Sequence, residues 1–303
     1  MDKLPHSVLL QILSRLNDSA DVACCRVAWK AFDTVSPGIR SIHLQCSKEW
    51  YDMASSSQRI KPLKTVFLDL ISKLETVESV CIVFVHWISR ASDDFSLTDG
   101  DFAEWLPRVS GSLKSLSVSN YDTQSPSNVL VLISAYCCNL VSLKLDSAWL
   151  NVRNLNPMPT LTKYKAPREA GDSEFSLRKV FTVFPNVSSL CIQSEPWSEL
   201  ETYMNSYPEG WMILDGRKGL KTICAYLELA DPSLTFSFLS CILDQCVGLS
   251  EVSLLMHIED DIQRTIADSF WSKCVARWPG LKWRRGIRMS FMEDLWISDA
   301  ISN

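Results

Sequence analysis

The chain has 303 residues, of which 47% are hydrophobic and 21% charged, with a formal net charge of −5 at pH 7. This balance is typical of a folded protein with a sizeable core, and it argues against a generally basic nucleic-acid binder, so no nucleic-acid partner is expected. The longest apolar run, at positions 80–85, is too short to cross a bilayer, so no membrane partner is expected either.

The eleven cysteines favour a reducing compartment over a disulfide framework. They lie singly in apolar runs or as neighbours, as in Cys24-Cys25 and Cys137-Cys138, without the compact spacing of a disulfide-rich domain. The N-terminus lacks the basic, apolar and cleavage regions of a secretory signal. We therefore expect a protein of the cytoplasm, the nucleus or both.

A helical hairpin is predicted at the N-terminus. Pro5 and a capping Ser7 favour a helix start, and apolar residues at positions 8, 9, 12, 13 and 16 give that helix one apolar face. A second short helix is predicted over positions 19–27. A unit of about thirty residues buries too little surface to be stable alone, so the rest of the chain or another protein must cover it.

These residues resemble the F-box motif, which the chain shows in its opening Leu4-Pro5, a helix ending in Leu16 and a closing segment, Arg26 to Phe32. The resemblance implies that positions 1–36 dock a Skp-family adaptor. Ser7 stands where the family often has an acid, and Trp29 where it has a small or basic residue. The adaptor-binding residues implied are Leu4, Pro5, Leu9, Ile12, Leu13, Leu16 and Val27. The alternative is an ordinary hairpin packed on its own domain.

From position 37 to 303 the chain repeats the pattern apolar-x-x-apolar-x-apolar. Copies begin at Ile39, Val77, Leu113, Leu140, Leu161, Val187, Leu220 and Leu249, and a remnant of the pattern starts at Leu281. Gly or Asn lies one or two positions before seven of these nine starts, and both residues tolerate the left-handed conformation that ends a helix. Each repeat is therefore predicted to contain a helix, a tight turn and a short strand, with helices over 101–109, 127–138, 233–247 and 261–278.

The best copy, Leu140-x-x-Leu143-x-Leu145-x-x-Ala148-x-Leu150, resembles the leucine-rich repeat, with Ala148 where Asn or Cys is usual. The starts are spaced by 21 to 38 residues, against about 20 to 29 in the family, so the repeats are degenerate and several are enlarged. The predicted fold is α/β: a small N-terminal helical F-box at positions 1–36, then a leucine-rich-repeat solenoid with a parallel sheet and a C-terminal cap at 37–303. This combination resembles the F-box/leucine-rich-repeat proteins, which are especially numerous in plants.

A target surface follows from the alternation of side chains along a strand, because the x positions point away from the core. The candidate target-binding residues are Ser117, Lys144, Asp146, Lys165, Gln193, Tyr226 and Glu251. Most of these positions are equally compatible with a sheet face that only contacts solvent, since few residues of an interface carry its binding energy.

Catalytic chemistry is not indicated by the sequence. The four histidines are scattered, and no Cys-x-x-Cys, phosphate loop or nucleophile motif occurs, so no metal, cofactor or catalytic residue is expected. The acid clusters at 99–101 and 259–261 precede predicted helices, where carboxylates commonly cap backbone amides.

A basic cluster lies near the C-terminus. Between positions 262 and 288 the cations Arg264, Lys273, Arg277, Lys282, Arg284, Arg285 and Arg288 face only Asp268 in that stretch. The cluster could bind a phosphate or an acidic partner segment, but a solvated closing face of the solenoid is preferred.

The family resemblance implies a substrate-recognition subunit of an SCF-type ubiquitin ligase. In such a complex the F-box binds the Skp-family adaptor, the adaptor links to a cullin scaffold, and the repeats hold a target protein, here unidentified. The chain itself would not be an enzyme. The alternative is a repeat protein that serves as a scaffold or inhibitor, with an F-box that docks nothing.

Overall fold

A computed structural model describes residues 4–13, 15–16, 25, 30–47, 71, 74, 76–85, 98–121, 127–147, 150–151, 153–165, 181–193, 219–227, 229, 231–258, 260–288 and 295–297. The chain divides into two compact units. Unit 1 comprises Met1–Leu161 and Ala170–Ser173, and unit 2 comprises Thr162–Glu169 and Glu174–Asn303. Within the described ranges no helix combines the length and apolar character needed to span a membrane. The predicted boundary between positions 36 and 37 falls inside unit 1 and stays a prediction.

In its described residues, unit 1 begins with short helices and continues with a parallel sheet. Its elements are α1 (His6–Leu13), α2 (Lys30–Val35), a 3-10 turn (Ser36–Gly38), β1 (Ser41–Ser47), β2 (Ser79–Val85), α3 (Asp99–Val109), β3 (Ser115–Tyr121), α4 (Val129–Tyr136) and β4 (Ser142–Ser147). Strands β1 to β4 pair in chain order and all run parallel. The helix predicted over 19–27 lies outside the described residues except for Cys25.

Unit 2 continues the same alternation of strand and helix. Its elements are β5 (Lys163–Lys165), β6 (Ser189–Gln193), β7 (Thr222–Leu227), α5 (Pro232–Leu243), β8 (Glu251–His257), α6 (Asp261–Arg277), β9 (Lys282–Arg288) and β10 (Leu295–Ile297). Strands β5 to β9 are parallel and pair in chain order, whereas β10 lies antiparallel to β9. The antiparallel strand was not predicted.

The repeated apolar triplets form the core of each unit. Leu113, Leu116 and Val118 are each at most 1% exposed, and the triplet that begins at Leu140 is equally buried. Within the strands, Leu116 and Val118 point to one face of the sheet because successive strand residues alternate between its faces, and Leu113 is buried just before β3. Successive turns are also joined, since the Lys114 amide donates to the Glu78 carbonyl at 2.8 Å.

The helices cover the core face, and carboxylates cap several of their N-termini as predicted. Thr98 and Asp101 form a reciprocal capping box at α3, with the Thr98 amide donating to Asp101 Oδ2 at 2.6 Å. Asp260 caps α6 by accepting from the Gln263 amide at 2.7 Å. The α/β fold with a parallel sheet is therefore confirmed, and these acids have structural roles at helix starts.

Candidate functional site

An apolar stripe lies on the outside of α1. Leu4, Val8 and Ile12 are 40%, 36% and 38% exposed, and Pro5 is exposed beside them. Val8 and Ile12 are four positions apart and therefore lie on the same side of α1, and the exposed Leu4 and Pro5 directly precede the helix. We call Leu4, Pro5, Val8 and Ile12 the α1 face. Leu4, Pro5 and Ile12 were among the predicted adaptor-binding residues. Val8 was not, although it belongs to the same apolar periodicity.

The opposite side of α1 is buried within unit 1. Leu9 and Leu13 are each 2% exposed, so they hold the helix in place and are not available to a partner in this conformation. Leu10 packs near the 3-10 turn, where a Cβ added to Gly38 would lie 3.4 Å from its Cδ1. Of the other predicted adaptor-binding residues, Leu16 is half-buried and Val27 lies outside the described residues.

The non-core face of the unit 1 sheet is polar. Its first row of directly paired residues is Ser41, Ser79, Ser115 and Ser142, and its second is His43, Cys81, Ser117 and Lys144. The predicted residues Ser117 and Lys144 are therefore in one row, and both are half-exposed. Asp146 lies in the next row, paired with Ser119, but its side chain is outside the described set.

The non-core face of the unit 2 sheet is more strongly charged. Its first row is Lys163, Ser189, Thr222, Glu251 and Lys282, and its second is Lys165, Cys191, Cys224, Ser253 and Arg284. Glu251 Oε2 lies 3.6 Å from Lys282 Nζ, and Glu251 Oε1 lies 3.7 Å from Arg284 Nη1. The predicted residue Glu251 thus joins two strands of this face through ion pairs.

Deeper along the same face the side chains become buried. The predicted residues Lys165 and Tyr226 contact each other, with the Lys165 ammonium 4.7 Å from the centroid of the Tyr226 ring. Lys165 is only 9% exposed, and Leu255, which alternation also assigns to this face, is 1% exposed. Exposure therefore varies along this face, since Arg284 is exposed and Cys191 and Cys224 are half-exposed in the second row. Gln193 pairs with Tyr226, but its side chain is not described.

The C-terminal basic cluster is largely compensated by acids. Arg277 contacts Asp244 at 3.2 Å, Arg264 contacts Asp261 at 3.8 Å, and Arg285 pairs with Asp268. The expectation that Asp268 alone faces the cluster was wrong, because Asp244 and Glu251 are distant in sequence and adjacent in the fold. Lys273 lies 4.0 Å from the Phe236 ring centroid, and Trp283 donates to the Trp278 carbonyl at 3.1 Å.

The buried thiols are poor ligands and nucleophiles. Burial raises the pKa of Cys137 and of Cys274 to about 12, and that of Cys246 to about 11. A group of three or more metal-binding side chains does not occur in the described part of the chain. The arrangement therefore offers surfaces for binding and no described constellation for bond-making.

Comparison with known proteins adds a family likeness to this geometry. The alternating parallel strands and helices define an α/β repeat protein with an N-terminal helical segment. The chain is 36% identical over 203 residues to an Arabidopsis thaliana protein named F-box/LRR-repeat protein At4g29420. The alignment covers 63% of this chain and 45% of that relative, so it spans less than half of the relative's length. No family model matches the chain. The predicted resemblance to plant-type F-box/leucine-rich-repeat proteins is confirmed by this similarity.

Proposed function

We propose that the chain is the substrate-recognition subunit of an SCF-type ubiquitin ligase. The α1 face binds a Skp-family adaptor, the adaptor links to a cullin, and the non-core sheet faces hold a target protein. The chain makes no bond itself and acts by raising the concentration of the target near a ubiquitin-loaded enzyme. The observation that carries the proposal is the exposure of Val8 and Ile12 on a helix whose other side is buried, with Leu4 exposed just before that helix.

The α1 face supplies part of the binding energy for an adaptor. Covering its partly exposed side chains would contribute roughly 1 kcal/mol each at the usual value per unit of apolar area. Association costs about 4 kcal/mol or more, so the adaptor must contact further residues. Leu16, half-buried three residues after the end of α1, and Val27 stay the predicted extension of this surface.

The proposal is tested by replacing Val8 and Ile12 together with aspartate. Two charges on the α1 face would be desolvated in the complex, so we expect the double variant to lose co-purification with a co-expressed Skp-family adaptor. Ser7→Asp is the matched control, since it adds a carboxylate to the exposed first turn of the same helix without entering the α1 face. It should keep the adaptor.

Circular dichroism melting must show that both variants stay folded. Undiminished co-purification of a well-folded Val8→Asp, Ile12→Asp variant would contradict adaptor docking through α1. If the unaltered chain itself fails to bind any adaptor, the chain is instead a repeat protein whose F-box docks nothing.

We also propose that the protein functions in the cytoplasm, the nucleus or both. The eight cysteines in the described residues form no disulfide; Cys81, Cys191 and Cys224 are half-exposed and Cys138 is exposed. Accessible reduced thiols are typical of a reducing compartment. Imaging of a fluorescent fusion tests this placement, and retention in the secretory pathway would contradict it.

A further inference from the structure

The first row of the unit 2 non-core face has an excess of positive charge at its amino-terminal rim. Lys163 and Lys282 are exposed at the two ends of this row, on β5 and β9. Lys221, one residue before Thr222 on β7, is exposed at the same rim, and Arg284 is exposed one row further in. Among the described residues of this rim there are therefore four cations and one carboxylate, that of Glu251.

Internal ion pairs neutralise only part of this charge. Glu251 is shared between Lys282 and Arg284, at 3.6 Å and 3.7 Å, so one carboxylate serves two cations. Among the described residues no ion pair is found for Lys163 or Lys221, and both side chains face solvent. The rim therefore carries a positive local potential that attracts anionic segments.

The distances between the cations indicate which conformation of a bound acidic segment would fit them. Lys163 and Lys282 lie four strands apart, or about 19 Å at the usual spacing of about 4.8 Å between strands. Lys221 lies near the midpoint, about 10 Å from each. A polyproline II segment rises about 3.1 Å per residue with three residues per turn, so every third side chain recurs on one side at about 9 Å. Carboxylates at every third position would therefore meet the three lysines in turn.

The surface between the cations is suited to an extended chain. Ser189 and Thr222 are half-exposed and present short hydroxyl-bearing side chains that do not obstruct the row. Lys165, Ser253 and Leu255, further along the strands, are at most 9% exposed and leave little to contact there. The exposed cations that an acidic ligand can reach therefore lie at the rim, where the ligand runs across the strands.

We propose that this basic rim, formed by Lys163, Lys221, Lys282 and Arg284 with Thr222 between them, binds an extended acidic segment of the target protein with carboxylates at every third position. This inference rests on the proposed function only where it assigns the acidic segment to a target protein. The binding itself involves unit 2 and does not require the adaptor.

Two labelled peptides of equal composition test the spacing. Glu-Pro-Pro-Glu-Pro-Pro-Glu places its carboxylates at every third position, and Pro-Pro-Glu-Glu-Glu-Pro-Pro places them together. Fluorescence anisotropy with the full chain should show the first peptide binding about fivefold or more tightly than the second, because only the first meets all three lysines. Raising the salt concentration should weaken binding of the spaced peptide.

Charge-reversal variants locate the site. Lys163→Glu and Lys221→Glu should each weaken binding of the spaced peptide roughly threefold to tenfold, since each replaces an attraction by a repulsion. Arg108→Glu, an exposed charge reversal on α3 in unit 1, should leave that binding unchanged. Circular dichroism confirms the folding of each variant.

Several outcomes would overturn the inference: no binding of the spaced peptide, equal affinity for the two peptides, or full affinity in a folded Lys163→Glu variant. Adaptor co-purification is measured separately and depends on α1, so each result is attributable to one surface. If the chain binds the adaptor but not the spaced peptide, the acidic-segment inference is wrong and the ligase proposal stands.

Discussion

Substitutions at different residues of α1 would have different effects, because some of these side chains are buried and others are exposed. Leu13 is 2% exposed, so Leu13→Asp would bury an unpaired charge and unfold the hairpin whether or not an adaptor binds there. Val8 and Ile12 are more than a third exposed, so a charge at either position stays hydrated in the free chain. Loss of adaptor binding by substitution at Val8 and Ile12 therefore reports on the interface and not on stability.

Tyr164 is a buried residue whose hydroxyl adds little to stability. Its ring packs against Phe184, with centroids 4.9 Å apart, while its hydroxyl has no hydrogen-bond partner among the described residues. Tyr164→Phe keeps the ring contact and removes a desolvated polar group. We expect the variant to be as stable as the unaltered protein or up to about 1 kcal/mol more stable, as measured by urea denaturation.

Tyr164→Leu provides the comparison, because it removes the ring contact as well and should be destabilising. A loss of more than about 1 kcal/mol in Tyr164→Phe would show that the hydroxyl is hydrogen-bonded in solution.

At the scale of elements, the start of α3 is fixed by local hydrogen bonds. The Thr98 hydroxyl accepts from the Asp101 amide at 3.4 Å, and Asp101 Oδ2 accepts from the Thr98 amide and hydroxyl at 2.6 Å and 2.7 Å. These bonds satisfy donors that a helix N-terminus otherwise leaves unpaired. The same helix buries Phe102, Trp105 and Leu106 in the core, so its position supports the sheet.

Removal of this cap has a defined expected cost. Thr98→Ala eliminates the hydroxyl and should lower the free energy of unfolding by about 1 kcal/mol, with a lower midpoint in urea denaturation. Thr98→Ser retains an accepting oxygen and should stay within about 0.5 kcal/mol of the unaltered protein. Equal stability of the alanine and serine variants would mean that the capping box does not stabilise α3.

Elements with a strong local signal were predictable from the sequence. Helix α6 was predicted over 261–278 and is Asp261–Arg277, and α3 was predicted over 101–109 and is Asp99–Val109. The apolar periodicity of these helices and their capping acids lie within one segment of the chain. The parallel strands β1 to β8 were predictable for the same reason, because each begins within a copy of the repeated triplet.

Features set by distant contacts were not predictable in the same way. Strand β10 has only three residues, Leu295–Ile297, and its pairing with β9 depends on hydrogen bonds that no periodicity encodes. Alternation placed Lys165 and Leu255 on the non-core face without indicating that both are buried there. The division of α1 into an exposed and a buried side also depends on what it packs against, which is why Leu9 and Leu13 were assigned to the adaptor.

At the scale of the whole molecule, both units keep neutral thiols in their cores. Cys137 lies in unit 1, whereas Cys246 and Cys274 lie in unit 2, and each is at most 6% exposed. Burial disfavours the charged thiolate, which raises the pKa of all three thiols well above that of a thiol in an unfolded chain, about 8.5. Burial likewise raises the pKa of the Tyr164 hydroxyl.

These shifts predict a loss of stability at alkaline pH. Between about pH 8.5, where an unfolded thiol ionises, and the folded pKa of about 11 to 12, the unfolded chain binds fewer protons than the folded chain. The free energy of unfolding therefore falls as pH rises through this interval, while below it the three thiols contribute no pH dependence. Urea denaturation at a series of pH values from about 7 to 11 should show this decline in the free energy of unfolding. A triple variant with alanine at Cys137, Cys246 and Cys274 should show a shallower decline. Its cavities should also make it less stable than the unaltered protein at pH 7. Identical slopes in the two proteins would mean that these thiols ionise without unfolding.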